Sequence, residues 1–211
     1  MANDLILYTN PRSRGRIARW MLEEVGATYE TVVLDYASSM KGAEYLTVNP
    51  MGKVPAIVHG GKVVTECAAI CAYLADAFPD AGLAPPPGER ADYYRWLFFA
   101  AGPVEQAFTN KSMGVAPDDR QKRMAGYGCF EQTVDTLEAA VTGRDYVAGD
   151  TFTAADVYVG SQIGFMLQFG MLEARPAFAA YSERVYAREA FRRASALDDA
   201  LIAAAEATAA G

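Results

Sequence analysis

The chain has 211 residues, of which 52% are hydrophobic and 21% charged, a balance typical of a globular rather than a disordered protein. Its formal net charge of -7 argues against a nucleic-acid partner, because phosphate binding depends on clustered Lys and Arg. The sequence has no apolar run of membrane-spanning length, no N-terminal pattern of a signal peptide and three cysteines that fit a reducing cytosol, so we expect a cytoplasmic chain without a membrane partner.

The first predicted elements form a βαβ unit. Leu5 to Tyr8 has the length and composition of a strand, and Ser13 to Val25 has the spacing of an amphipathic helix that ends near Gly26. Thr28 to Leu34 is rich in β-branched residues and is predicted to be a second strand, parallel to the first. A short helix is expected over Lys41 to Leu46.

A proline interrupts the next predicted strand, Val54 to Val58. Pro55 has no backbone N–H, so it is tolerated only at the first strand residue, at an edge or where pairing is broken. A broken ladder leaves the N–H and C=O of Val54 available to an extended peptide, and a cis X-Pro bond would fix that geometry. After a Gly60-Gly61 turn, a helix is predicted over Glu66 to Phe78, where the unpaired N–H groups of its first turn favour an anion.

The segment from Pro79 to Gly88 concentrates proline and glycine and predicts a domain boundary. We therefore divide the chain into residues 1–79 and residues 89–211, and expect the second part to be all-helical. Its first helix, Arg90 to Phe108, is apolar on many sides, and Pro103 should kink it or end its first portion. Further helices are predicted over residues 118–141, 177–193 and 198–207.

Another helix is predicted to begin within residues 152–157. Thr153 has the place of an N-cap and Asp156 that of the third helical residue, so the pair forms a capping box with an acidic variant. Phe152 and Val157 have the spacing of a hydrophobic staple. We expect this motif to serve folding rather than chemistry.

A Val-Pro pair followed about a dozen residues later by an acidic residue at a helix start resembles the glutathione site of the cytosolic glutathione transferases. The resemblance extends over nearly the whole chain, and the loop Leu7-Tyr-Thr-Asn-Pro-Arg-Ser13 is similar to that of the serine-type phi and theta classes. It implies a thioredoxin-like α/β N-terminal domain that binds glutathione and an all-α C-terminal domain that supplies the second-substrate wall and dimer contacts. It also implies a homodimer, and glutathione as co-substrate without a further cofactor.

The thiol of glutathione has a pKa too high for efficient attack at neutral pH, so such an enzyme has to lower it. The resemblance assigns this role to Ser13, although the residues alone also allow Ser13 to be a simple N-cap. Other classes use a tyrosine at the end of the first strand, but alternation along that strand places Thr9 at the matching position and turns Tyr8 towards the core. Arg14 lies where cysteine-type bacterial members carry their cysteine, and its guanidinium is a further candidate for holding thiolate.

The resemblance also implies how the rest of glutathione binds. The backbone of Val54 would pair with the cysteinyl part, Glu66 would meet the γ-glutamyl ammonium, and Cys67 would lie at the carboxylate of that group. Lys41 or Lys53 would lie near the glycyl carboxylate, unless both are solvated surface residues. Cys67 departs from the family pattern, which usually has serine there, and a thiol is a poor hydrogen-bond donor.

The second substrate is expected against the helix that contains Phe99, Gly102, Gln106 and Phe108, although these positions also suit a core or a subunit interface. The predicted reaction is transfer of glutathione to an electrophilic, hydrophobic substrate that the sequence does not identify. Glutathione-dependent reduction of peroxides or disulfides, and a non-catalytic glutathione-binding module, are the alternatives. We expect no metal, because a zinc site lacks plausible ligands when His59 is the sole histidine.

Overall fold

The computed structural model describes residues 4–209 and begins with the predicted βαβ unit. Strand β1 (Leu5–Thr9) leads into helix α1 (Gly15–Glu24), and strand β2 (Glu30–Val33) returns beside β1. The two strands pair in parallel, which confirms the prediction. Along β1, alternate side chains are buried on one face and half-buried on the other, as expected for a strand covered on both faces.

The remaining strands complete a mixed sheet with the order β2-β1-β3-β4. Strand β3 (Ala56–His59) pairs antiparallel with both β1 and β4 (Lys62–Thr65). Helix α2 (Ala43–Val48) precedes β3, and helix α3 (Cys67–Ala77) follows β4. This arrangement confirms the thioredoxin-like α/β domain, and β3 begins two residues later than predicted.

The all-helical part of the prediction is also confirmed, although several helix bounds differ. The expected helix over residues 118–141 is two helices separated by a turn with Gly126 and Gly128, the latter at a φ of 68°. The expected helix over residues 177–193 ends at Tyr186, and a helix of 21 residues follows. The helices after α3 are α4 (Ala91–Phe99), α5 (Glu105–Ser112), α6 (Asp119–Met124), α7 (Phe130–Val141), α8 (Ala154–Gln168), α9 (Pro176–Tyr186) and α10 (Glu189–Ala209).

A π-helical segment, Ala100–Val104, joins α4 directly to α5 and contains Pro103. Proline cannot donate the regular helical hydrogen bond, and its ring crowds the preceding turn. The wider π turn accommodates this residue, so Pro103 interrupts the α-helical geometry without ending the helix. Within residues 4–209, no helix combines the length and hydropathy needed to cross a membrane.

The chain separates into two compact units, of which the helical unit comprises residues 84–186 and the first unit comprises the residues on either side of it. The boundary at residues 83 and 84 lies in the predicted linker. Residues 187–209, however, belong with the first unit, whereas the sequence-based division placed them in the helical domain. The physical reason is that α10 packs along α1, where Trp20 meets Phe191 edge to face with ring centroids 4.9 Å apart.

The predicted capping box at the start of α8 is present and is wholly buried. Asp156 Oδ2 accepts hydrogen bonds from the N–H and hydroxyl of Thr153, at 2.9 and 3.0 Å. Its Oδ1 accepts from the Val147 N–H and from the Tyr181 hydroxyl, each at 2.7 Å. Burial raises the pKa of the Asp156 carboxyl, and these hydrogen bonds oppose the rise. One carboxylate therefore joins the start of α8 to α9 and to the segment before α8.

We predict that Asp156→Asn lowers the free energy of unfolding by about 3 kcal/mol, because the new amide places a donor against groups that are themselves donors. Urea unfolding followed by circular dichroism measures the change. Asp150→Asn, at an exposed carboxylate a few residues away, is the matched control and should stay within about 0.5 kcal/mol of the parent. Equal effects of the two substitutions would contradict the assigned role.

Candidate functional site

The loop between β1 and α1 is anchored by Asn10, a residue that sequence reasoning did not single out. Its side-chain amide donates to the Leu34 carbonyl at 2.8 Å, and its Oδ1 accepts from the Arg12 N–H at 2.9 Å. The Asn-Pro pair after a strand was a turn signal. The partner at Leu34 depends on the parallel pairing of β1 with β2 and was not readable from the loop itself.

Ser13 lies half-buried just before α1 and makes hydrogen bonds on both sides. Its hydroxyl donates to the Asn10 carbonyl at 2.7 Å and accepts from the Gly15 N–H at 2.9 Å. The same Asn10 carbonyl also accepts from the Ser13 N–H at 3.0 Å. The hydroxyl proton can therefore turn towards another acceptor while the carbonyl keeps a partner. The helix-capping role and the thiol-binding role that were considered for Ser13 are both compatible with this geometry.

The alternative thiol ligands occupy different environments. Thr9 is fully buried, so its hydroxyl is not accessible to an external thiol. Within the described part of the chain, this hydroxyl oxygen has no hydrogen-bond partner. Tyr8 is half-buried on the opposite face of β1, with its ring centroid 5.4 Å from that of Tyr45, and it packs against a small core cluster. Arg14 is exposed at the residue before α1.

The start of α1 approaches the end of β1 very closely at Gly15. A Cβ atom on Gly15 would overlap Thr9 Oγ1 and would lie 3.0 Å from Ser13 Oγ. Only glycine leaves room for both side chains without a shift of the backbone. This close approach places the Ser13 hydroxyl at the end of β1.

A second loop, between α2 and β3, is held at the carbonyl of Lys53. That carbonyl accepts hydrogen bonds from the Tyr45 hydroxyl and from the side-chain amide of the buried Asn49, the latter at 2.8 Å. Burial raises the pKa of Tyr45 to about 12, so its hydroxyl stays protonated and donates at neutral pH. Tyr45 and Asn49 thus fix the residue before Val54, and neither was predicted as a site residue.

The Val54–Pro55 peptide bond is cis. Pro55 is buried and lies immediately before the first residue of β3, so its missing N–H costs the sheet no hydrogen bond. Among residues 4–209, no hydrogen bond involves the N–H or C=O of Val54. The backbone of Val54 is therefore in the state that the sequence analysis expected for pairing with a peptide.

The two candidate lysines differ in their surroundings. The Lys41 ammonium donates to the Gly52 carbonyl at 2.6 Å, which links the 3₁₀ turn Ser39–Lys41 to the α2–β3 loop. The Lys53 side chain is exposed to solvent, while its backbone is held as described. The Lys41 side chain is also exposed, and the two lysines differ in that the Lys41 ammonium is already hydrogen-bonded to the loop.

Glu66 and Cys67 lie at the start of α3, as predicted. Glu66 is exposed and has a φ of 66°, a left-handed conformation that is uncommon and strained for a residue other than glycine. Cys67 is half-buried, and its Sγ lies 3.8 Å from the Arg14 carbonyl, to which it donates. The starts of α1 and α3 therefore meet. Cys71, one turn further along, is fully buried, and burial raises the pKa of its thiol well above the usual value.

The candidate second-substrate residues belong to the helical unit and do not share one environment. Gly102 and Gln106 are exposed, and the Gln106 amide donates to Asn110 at 2.8 Å. Phe99 lines a cavity of about 300 Å³ next to the turn between α6 and α7. Phe108 is buried against Phe130, with ring centroids 4.9 Å apart, so it serves the core. Within residues 4–209, His, Cys, Asp and Glu side chains form no group of three or more that would hold a metal ion.

The chain is similar to known proteins over most of its length. Residues 3–76 match the family model of the glutathione S-transferase N-terminal domain, and residues 117–184 match that of the C-terminal domain. Glutathione S-transferase 3 of Zea mays is 30% identical over 206 residues, covering 90% of this chain and 92% of that protein. Two crystal structures each cover 92% of this chain and 98% of their own: a glutathione transferase from Methylococcus capsulatus str. Bath (TM-score 0.77, 30% identity) and a sphingomonad glutathione S-transferase complexed with glutathione (TM-score 0.75, 32% identity).

We predict that Gly15→Ala lowers the free energy of unfolding by about 1–3 kcal/mol, because the added methyl group forces Thr9 and Ser13 apart. Urea unfolding measures the loss, and Gly88→Ala is the control because a Cβ atom there meets open space. If the Gly15→Ala protein were as stable as the Gly88→Ala protein, the loop between β1 and α1 would accommodate the methyl group without cost, which would contradict the prediction.

Proposed function

The chain belongs to the glutathione S-transferase family, and we propose that it binds glutathione in its first unit and adds the thiolate to an electrophilic, mostly apolar substrate. The observation that carries this proposal is the meeting of the α1 and α3 starts, where Cys67 Sγ lies 3.8 Å from the Arg14 carbonyl, next to Ser13 in the chain. The Ser13 hydroxyl, proposed to donate to the thiolate, and the helix start proposed to bind a carboxylate are therefore adjacent. No cofactor beyond glutathione is part of the proposal.

In the proposed complex, the N–H and C=O of Val54 pair with the cysteinyl backbone of glutathione. The exposed Glu66 carboxylate attracts the γ-glutamyl ammonium, and the first N–H groups of α3 bind the carboxylate of the same group. Cys67 lies beside that carboxylate and contributes little as a donor, so backbone N–H groups supply most of the binding. The exposed Lys53 attracts the glycyl carboxylate, with Lys41 as the alternative.

Ser13 is the proposed thiolate ligand. Its hydroxyl already accepts from the Gly15 N–H at 2.9 Å, which polarises the O–H bond and makes it a better donor. When the proton turns towards sulfur, the Asn10 carbonyl keeps the Ser13 N–H at 3.0 Å. Each unit by which the thiol pKa falls corresponds to about 1.4 kcal/mol of preferential binding of thiolate. The positive end of α1 acts in the same direction.

We predict that Ser13→Ala lowers the turnover number about 10- to 100-fold, by analogy with removal of one preorganised donor, while KM for glutathione changes less than about threefold. The pKa of the bound thiol should rise, which the ultraviolet absorbance of the thiolate reports. Ser112→Ala, at an exposed serine of α5, is the matched control. Full activity of Ser13→Ala would contradict the assignment and favour Arg14 as the thiolate ligand.

The reaction itself is tested by identifying the product formed with a panel of aryl halides, epoxides and enones. A thioether supports the proposal, whereas oxidised glutathione from peroxide or disulfide substrates indicates the reductase alternative. Binding to an immobilised glutathione column without product from any substrate would favour the non-catalytic glutathione-binding module, whereas failure to bind would contradict the proposal. Phe99, Gly102 and Gln106 remain the candidate contacts for the electrophile.

The proposal includes a homodimer in the cytoplasm. Support for the dimer comes from an exposed aromatic pair on α4, Tyr94 and Phe98, of which Phe98 is 68% exposed, with ring centroids 6.3 Å apart. The chain has three cysteines, too few for a disulfide framework, which supports the location.

We predict that Phe98→Glu raises the dimer dissociation constant by at least about 10-fold, because a carboxylate replaces an apolar anchor. Light scattering over a dilution series measures the dissociation constant. Phe169→Glu, at a comparably exposed phenylalanine at the end of α8, should leave it unchanged. A monomeric parent protein at micromolar concentration would contradict the dimer.

A further inference from the structure

A series of arginine–carboxylate pairs joins α1 and its preceding loop to the C-terminal helix α10. The charges are complementary along an antiparallel register. In both segments the basic residues come first along the chain and the acidic residues follow. Because the segments run in opposite directions, the basic residues of each face the acidic residues of the other. The pairs are Arg12–Glu206, Arg16–Asp199 at 2.7 Å, Arg19–Asp198 at 2.9 Å, Glu23–Arg193 at 3.2 Å and Glu24–Arg188 at 2.7 Å.

The pairs differ in how much they contribute to docking. Arg19 and Asp198 are 3% and 0% exposed, and Arg19 also donates to the Tyr29 hydroxyl at 3.2 Å. Together with the Trp20–Phe191 contact, this buried pair sets the place of α10 on α1. The other basic pairs near the α1 start are exposed, and exposed pairs contribute little to stability. Arg16 differs from Arg12 in that it also donates to a carbonyl of the loop before α1.

Arg16 connects α10 to the loop that contains Ser13. One terminal nitrogen of its guanidinium donates to Asp199 Oδ1 at 2.7 Å, and the other donates to the Pro11 carbonyl at 3.2 Å. The planar guanidinium holds its two terminal nitrogens in a fixed geometry, so a carboxylate on one side orients the donor on the other. Pro11 precedes Ser13 by two residues. The position of the Pro11 carbonyl thereby influences where the Ser13 hydroxyl lies.

We propose that Asp199 is a positioning residue for the reaction, because it orients Arg16 to hold the Pro11 carbonyl and so keeps the Ser13 hydroxyl in place. The inference rests on the proposed role of Ser13. Asp199 touches neither substrate, and it acts through one arginine and one backbone carbonyl. The C-terminal helix thus takes part in thiol activation, although it lies more than 100 residues from Ser13 in the chain.

The test compares Asp199→Asn with the parent protein and with Asp199→Glu. Asp199→Asn should lower the turnover number about 3- to 10-fold with KM for glutathione nearly unchanged, since misplacement of a catalytic group affects rate rather than binding. The pKa of the bound thiol should rise. Asp199→Glu, which keeps the charge, should restore most of the rate. Unchanged thiol pKa and rate in Asp199→Asn would overturn the proposal.

A charge-swapped protein, Arg16→Asp with Asp199→Arg, separates positioning from mere helix docking. It restores an ion pair between the helices, but the side chain of an aspartate at position 16 has no N–H group that could donate to the Pro11 carbonyl. Its rate should stay low although the ion pair is restored. Recovery of the full rate in the swapped protein would show that docking alone matters.

Arg193→Gln is the matched control, since it breaks the pair with Glu23, 3.2 Å long, at the far end of the same interface. It should leave the rate and the thiol pKa unchanged, and an equal loss of rate would overturn the proposal. In addition, the ratio of parent to Asp199→Asn turnover should fall towards one in about 0.5 M salt, because screening removes the parent's advantage.

Hydrogen exchange without any substrate distinguishes failure of this inference from failure of the proposed function. Peptides spanning residues 10–17 should exchange faster in Asp199→Asn than in the parent, and should be unaffected by Arg193→Gln. This result would support the Asp199–Arg16–Pro11 connection even if the protein formed no thioether. Equal exchange in Asp199→Asn and the parent would overturn it even if conjugation were demonstrated.

Discussion

The start of α1 lies so close to the end of β1 that only a hydrogen atom fits on the side-chain position of Gly15, and the site depends on this approach. Thr9 is buried beneath it, and the Ser13 hydroxyl accepts from the Gly15 N–H. A larger residue would separate the helix from the strand and move the hydroxyl. The same proximity brings the Arg14 carbonyl to the start of α3, where Cys67 meets it. The packing of one helix start therefore positions both parts of the proposed glutathione site.

The two loops around the site are held by different means, each suited to its role. In the loop before α1, Asn10 donates to the Leu34 carbonyl. Arg12 in this loop and Arg16 in α1 form solvent-accessible ion pairs with α10. The loop before β3 is tied by the Tyr45 hydroxyl and the Asn49 amide to the Lys53 carbonyl, within a partly buried environment. Buried hydrogen bonds are hard to break, whereas exposed ion pairs respond to salt. We therefore expect the contacts of the loop before α1 with α10 to depend more on salt than the contacts that hold the loop before β3.

Cys67 and Glu66 lie at the proposed carboxylate-binding helix start, where the chain departs from the family pattern. A thiol replaces the hydroxyl usual in the family, yet carboxylate binding at a helix start relies mainly on backbone N–H groups, which any residue supplies. Glu66 keeps a left-handed backbone at φ 66°, which strains a residue that has a Cβ. Strain of this kind persists only where the surrounding structure holds it, and here α3 and β4 flank the residue on both sides. The backbone conformation of Glu66 is thus set by the fold rather than by local preference.

Local signals in the sequence determined the βαβ unit, the Val54-Pro55 break, the helix start at Glu66 and the capping box of Thr153 and Asp156. Each of these depends on residues within a few positions of one another, so spacing alone reveals it. Only the tertiary structure decided that Asn10 holds Leu34, that Thr9 is buried while Ser13 is not, and that α10 belongs with the first unit. Arg19 and Asp198 are 179 residues apart, and no periodicity in either helix announces their pairing. Partners that distant in the chain are selected by packing and by complementary charge once the elements have formed, so they become visible only when the chain is folded.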